Sequence, residues 1–286
     1  MSAAPIRQSV AKRFLRHPMA LFGGITVTLL CAAALFAPAL APRDPLLLDT
    51  SVRFLAPFAR WPFLLGTDDL GRDTLSRLLY GGQISLTVGL VAMVTTVLTG
   101  SLIGVVAGYV GGWVDAVLMR FVDTMLCFPQ VFLLLVVAAF VPPTLLSISL
   151  IIGLTSWMEV ARIVRAEILH LKEQDFVLAA RALGASRTRI MLRELTPNIA
   201  APLLVAATLK VAGAVLMESY ISYLGYGVQA PLASWGNMLT NAQGYFDTVP
   251  WLAILPGLMI TLTVMGFNFL GDGLRDALDP KLRMGK

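Results

Sequence analysis

Ile84-Ser-Leu-Thr-Val-Gly-Leu-Val-Ala-Met-Val-Thr-Thr-Val-Leu-Thr-Gly-Ser-Leu-Ile-Gly-Val-Val106 runs without one Asp, Glu, Lys or Arg. As a helix rising 1.5 Å per residue it spans about 34 Å, enough to cross a hydrocarbon core of about 30 Å. The chain is therefore read as a bundle of membrane-spanning helices. A β-barrel is excluded because its segments are about 10 residues long and alternate in polarity. Composition agrees: 57% of the 286 residues are hydrophobic and 14% charged, against about 25% charged in soluble domains. The net charge of +5 is explained by cationic loops on the cytoplasmic side, and nucleic-acid binding is set aside. Gly100, Gly104, Gly108 and Gly112 repeat every four residues, a smooth stripe for close helix packing.

Outward from this run, five more spans follow from the apolar stretches. Arg7, Lys12, Arg13 and Arg16 precede an apolar run over 19–40 that is too long for a cleavable signal core, so it is read as an uncleaved first span. The other four cover 119–141, 145–164, 199–221 and 251–270, the first of these stopped by Pro142-Pro143. The resulting division is a cytoplasmic N-terminus (1–18), a first transmembrane helix (19–42), an external amphipathic segment (43–83), a five-helix core (84–272) and a cytoplasmic tail (273–286). Within the external segment, 65–79 is read as an interfacial helix capped by Thr67 or Asp69. The loop 165–197 is rich in Lys and Arg and is assigned to the cytoplasm. Loop 222–250 has neither and is assigned outside. Both termini are then internal.

Cys31 and Cys127 stand alone in apolar runs, and His17 and His170 are far apart, so neither a disulfide nor a metal site is expected. No G-x-x-x-x-G-K-[ST] stretch occurs, so the chain is not expected to hydrolyse ATP itself. Charges inside spans are costly and mark function by default. Asp123, Lys210 and Glu218 are the candidates for a translocation path, Glu218 standing about two turns beyond Lys210 and read as on the same face. The other reading is that they pair with neighbouring helices or a subunit contact.

The basic cytoplasmic island 174–197 contains a short helix signal. Phe176, Ala179, Ala180 and Leu183 fall at i, i+3, i+4 and i+7, and Gly184 ends the pattern. A helix without neighbours of its own and with such a face is read as a docking plug for a partner protein.

Several separated motifs carry a resemblance. Gly66-Thr-Asp-Asp-Leu-Gly-Arg-Asp73, Ala179-Ala-Arg-Ala-Leu-Gly-Ala185, Tyr223-Leu-Gly-Tyr-Gly-Val-Gln229, Ser234-Trp-Gly-Asn237 and Phe267-Asn-Phe-Leu-Gly-Asp-Gly-Leu-Arg-Asp-Ala-Leu-Asp-Pro280 resemble the dipeptide/oligopeptide/nickel branch of ABC-importer permeases, specifically its C-type subunit. The resemblance implies the all-α, polytopic type I importer fold in a bacterial inner membrane. It implies a homologous second permease, two cytoplasmic ATPase subunits carrying ATP and Mg, and an extracytoplasmic substrate-binding protein, with no cofactor on this chain. It also implies that the island is the family's EAA loop, E-A-A-x-x-x-G-x9-I-x-L-P, with Asp175, Phe176, Leu178, Ala179, Ala180, Arg181, Leu183, Gly184, Ala185 and Arg187 forming the ATPase-coupling helix. Leu178 replaces the motif's Glu, and Glu194 and Thr196 replace its Ile and Leu. Surfaces for the binding protein are expected over 223–235 and 43–79. Peptides are the first expected substrate, with nickel chelates, glutathione or oligosaccharides as alternatives. A proton-coupled secondary transporter using Lys210 and Glu218 is the rival of a different class.

Overall fold

The computed structural model describes residues 14, 15 and 17–278. Among them are ten helices of eight or more residues and no β-strand: α1 Pro18–Leu35, α2 Thr74–Val110, α3 Gly112–Leu126, α4 Gln130–Phe140, α5 Leu145–Leu154, α6 Trp157–Leu171, α7 Asp175–Ala182, α8 Ala200–Tyr223, α9 Trp235–Ala242 and α10 Trp251–Leu278. Helices α1, α2, α8 and α10 are each long and apolar enough to cross a bilayer. The pairs α3/α4 and α5/α6 qualify as broken spans, bent by 87° and 45°, which makes up to six.

The breaks correct the two straight spans expected over 119–141 and 145–164, and each has a local cause. Pro129 disfavours helical backbone at Phe128 and brings no amide hydrogen of its own, so α3 stops and α4 starts afresh. At the second break the Thr155 and Ser156 hydroxyls donate to the carbonyls of Ile151 (2.9 Å) and Ile152 (2.6 Å), satisfying the end of α5 from within.

Helix α2 is the central element, packing against α1, α5, α6 and α8. Its start departs from the expected interfacial helix. Asp73, and not Thr67 or Asp69, is the N-cap: its carboxylate accepts from the amide (2.8 Å) and hydroxyl (2.6 Å) of Ser76. From there the helix continues unbroken into the second span, with Ser76, Arg77 and Leu78 buried. Thr67 instead accepts from the Leu55 amide at 2.9 Å, pinning the preceding loop. Asp68 ties that loop to the helix, meeting Arg72 Nε at 2.6 Å and Arg77 Nε at 3.5 Å.

The glycine stripe meets α6. A Cβ on Gly100 would lie 2.8 Å from the Trp157 carbonyl, one on Gly104 2.6 Å from that of Ala161, and one on Gly108 2.9 Å from Ile168 Cβ. Gly112 does not belong to the stripe. Gly111 and Gly112 have φ of +69° and +57°, a left-handed turn that ends α2 and redirects the chain into α3.

The final helix is longer than the expected sixth span, reaching Leu278, so that Arg275 lies on it. His17 at the start of α1 meets Asp276 near the end of α10 at 3.4 Å, placing the two ends of the described chain on one side. The expected cationic groups at 7, 12, 13, 16, 281, 283 and 286 lie outside the described residues. The expected external loop 222–250 contains α9, opened by a reciprocal cap in which Asn237 N donates to Ser234 Oγ (3.2 Å) and Ser234 N to Asn237 Oδ1 (3.0 Å).

Candidate functional site

The short helix expected in the basic loop is α7, and its end is built by the chain itself. Gly184 adopts φ +76°, and the amides of Gly184 and Ala185 donate to the carbonyls of Arg181 (2.9 Å) and Ala180 (3.0 Å). These two bonds form a Schellman cap, which requires a left-handed residue at the Gly184 position. Ser186 then caps the next turn by accepting from the Arg189 amide at 3.3 Å. A π-helical stretch, Ile190–Leu195, follows. Pro197 explains it: the residue cannot donate to the Arg193 carbonyl and its ring would clash there, so the turn before it widens.

Two expectations about this helix are corrected. It has neighbours: Val177 is fully buried and packs with Val164, Ile168, Ile190 and Ile199, while Ala180 and Ala185 rest against the same cluster. Ala180 therefore faces inward and is not part of the exposed docking face. A helix of eight residues is not stable alone, and Val177 and Ala180, at i and i+3, supply the anchor. Phe176, Leu178, Ala179 and Leu183 remain exposed, Leu183 at 88%. Asp175 and Arg187 are exposed as well. The Arg181 guanidinium lies over the Tyr109 ring at 5.5 Å, which holds it toward α2. Leu178, the departure from the motif, is thus an exposed apolar side chain, as Leu183 is.

Asp123, Lys210 and Glu218 are each paired or hydrogen-bonded, but they do not form one site. Lys210 on α8 pairs with Glu159 on α6. Asp123 on α3 pairs with Arg162 on α6. Arg165 meets Asp115 by two bonds of 2.5 and 2.6 Å. Glu218 is fully buried on the other flank of α8, where it accepts from Ser85 (2.9 Å) on α2 and Ser222 (2.7 Å). Lys210 and Glu218 therefore do not share a face. Eight residues at 100° each leave them about 80° apart. Glu159 and Arg162 were visible in the sequence at the end of a span, but nothing in it named their partners. Ser85 carried no signal at all.

Around Glu218 the loop 222–250 is locked to the bundle. The Trp235 amide donates to Ser85 Oγ (3.2 Å) and its indole Nε1 to the Leu78 carbonyl (3.0 Å), with the ring among Leu78, Leu86, Val211 and Val215. This narrows the part of 223–235, the expected binding-protein surface, that is accessible. Val228, Ala233, Ser234 and Trp235 are buried, leaving Tyr223, Leu224, Tyr226 and Leu232 on the outside.

With this geometry in hand, comparison with known proteins is informative. The family model described as "binding-protein-dependent transport system inner membrane component" matches residues 100–284. The chain belongs to that permease family. A second model, "N-terminal TM domain of oligopeptide transport permease C", matches residues 6–57 of this permease. The permease is 37% identical to a dipeptide transport system permease protein, DppC, of Alkalihalophilus pseudofirmus, over 99% of this chain and 92% of the relative. It is 40% identical to a putative peptide permease protein of Brucella suis (99% and 93%). Against the oligopeptide transport system permease protein OppC of Bacillus subtilis the identity is 38% (95% and 88%). It is thus an all-α, multi-pass inner-membrane transport component and not an enzyme.

Proposed function

We propose that this permease forms half of the translocation path of an ATP-driven peptide importer, the other half coming from a homologous second permease. Two cytoplasmic ATPase subunits, which carry ATP and Mg, lie below the pair, α7 docking into a groove on one of them, and an extracytoplasmic binding protein delivers substrate to the opposite side. The peptide assignment is supported by the names of the relatives. The observation that carries the coupling role is Leu183, an almost fully exposed leucine on a capped helix held rigidly between two spans. Leu178, Phe176 and Ala179 extend its apolar surface, which suits a groove on a partner better than water. Closure of the ATPases would push α7, and through its anchor α6 and α8, as a rigid unit.

The test is Leu183→Asp, alone and with Leu178→Asp, in cells carrying the whole transport system. The double variant should remain in the membrane at normal level, lose ATPase copurification and lose dipeptide uptake. Uptake and copurification at the parental level would remove α7 as the docking element.

A further inference from the structure

We infer that Glu159, Lys210, Asp123 and Arg162 line the cytoplasmic half of the solute path as a mixed-charge groove for a zwitterionic substrate, whose ammonium and carboxylate groups exchange with the two ion pairs. The inference deepens the importer reading and rests on it.

Its starting point is where these charges sit. Helix α6 turns Trp157, Val160, Ala161, Val164 and Ile168 into the bundle. Ser156, Glu159 and Arg162 recur every three residues along the opposite side, with Ile163 and Ala166 exposed between and below the charges. From one flank α8 brings Lys210 to Glu159, and from the other α3 brings Asp123 to Arg162. Gln130, at the bend between α3 and α4, donates to Ser156 Oγ at 2.6 Å and continues the polar line outward.

Depth decides what covers this side. Lys210 is ten residues into α8, about 15 Å from its start. Glu159 is twelve residues before the end of α6, about 18 Å from it. Both positions lie within the thickness of a bilayer, yet Glu159, Asp123 and Arg162 are half-exposed or more. Such charges are costly when they face lipid near the middle of the bilayer. Lipid is therefore a poor neighbour, and of the two others, the partner permease and water in the path, water accepts charges of both signs without a matching surface. Two pairs of opposite polarity side by side offer a cationic and an anionic group at once. A substrate with a free ammonium and a free carboxylate replaces each broken contact with an equivalent one, whereas a neutral or singly charged solute leaves one protein charge unpaired. Glu218 is excluded from this surface by its complete burial.

The experiment uses inside-out vesicles with the complete transport complex and Ile163→Cys in a background where Cys31 and Cys127 are alanine. Ile163→Cys should react with an anionic, membrane-impermeant methanethiosulfonate, either without nucleotide or with ATP and vanadate. Ala-Ala should slow that reaction several-fold, and N-acetyl-Ala-Ala-amide should not. Adding Lys210→Glu should abolish protection, and adding Glu159→Lys to it should restore protection. A thiol unreactive in both nucleotide states but modified by a lipid-soluble maleimide would place α6 against lipid or the partner permease and overturn the inference. So would equal protection by the two peptides, or none. Ala-Ala uptake by intact cells is measured in parallel. Its absence in the parent strain would count against the peptide-import reading, while the labelling still reports on the groove.

Discussion

Replacing Gly104 by alanine tests the packing on which the transport reading depends. The added Cβ would stand 2.6 Å from the Ala161 carbonyl oxygen and 2.7 Å from Val164 Cβ, about 1 Å inside ordinary contact on both sides. Neither neighbour can step aside, because one is backbone and the other is a β-branched side chain on a buried helix face. Helices α2 and α6 must therefore move apart, and overpacking of this kind costs about 1–3 kcal/mol. At roughly 2–4 °C per kcal/mol, the melting temperature should fall by about 2–12 °C. Tryptophan fluorescence of the purified permease in detergent reads the effect, since Trp157 lies at the same helix contact. Gly213→Ala is the control: nothing lies within 4 Å of its Cβ position, and alanine should hold or raise the midpoint through helix propensity. A Gly104→Ala midpoint equal to the parent, or a Gly213→Ala loss as large, would refute the assignment of the stripe to the α2–α6 contact.

Two further outcomes follow from buried polar groups. Arg72→Ala leaves the buried Asp68 carboxylate with Arg77, 3.5 Å away, as its remaining cation beside the amides of Leu70 and residue 72, and the lost charge-assisted bond should cost about 1.5–3 kcal/mol in the same melt. A change within error would mean that the loop before α2 is held by its backbone bonds alone. Glu218→Leu strands the hydroxyls of Ser85 and Ser222, costing about 1–3 kcal/mol for each group left unsatisfied, whereas Glu218→Gln keeps an acceptor and should cost much less. Equal melts for the two variants would count against the hydrogen-bond account.

The spans were legible because each is a long, predominantly apolar run, and a bilayer imposes a narrow range of lengths on such runs. The two breaks were harder to place. Pro129 was in plain view, but its effect depended on a helix restarting within three residues, which hydropathy does not register. Gly112 continued a sequence period that the backbone abandons one residue earlier, since positive φ at Gly111 and Gly112 is invisible to spacing. Around α7, periodicity correctly located the helix and Gly184 its end. The face was misassigned because Ala179 and Ala180 are indistinguishable in composition, and only the pocket formed by Val164, Ile168 and Ile190 decides which one turns in. Glu159, Arg162 and Ser85, which meet Lys210, Asp123 and Glu218, are 51, 39 and 133 residues away from them in the chain, contacts made by tertiary packing alone.

At 37 residues, α2 is a rod of about 55 Å, nearly twice the thickness of the hydrocarbon it crosses. Its weak joint is the pair Gly81-Gly82, where a helix bends most readily. Trp235 lies across that joint: Cβ atoms on the two glycines would come within 3.4 and 3.0 Å of its indole, whose N–H also holds the Leu78 carbonyl one turn earlier. The loop 222–250 therefore works as a splint. With the indole seated there, the N-terminal end of α2 and its glycine contact with α6 belong to one braced rod.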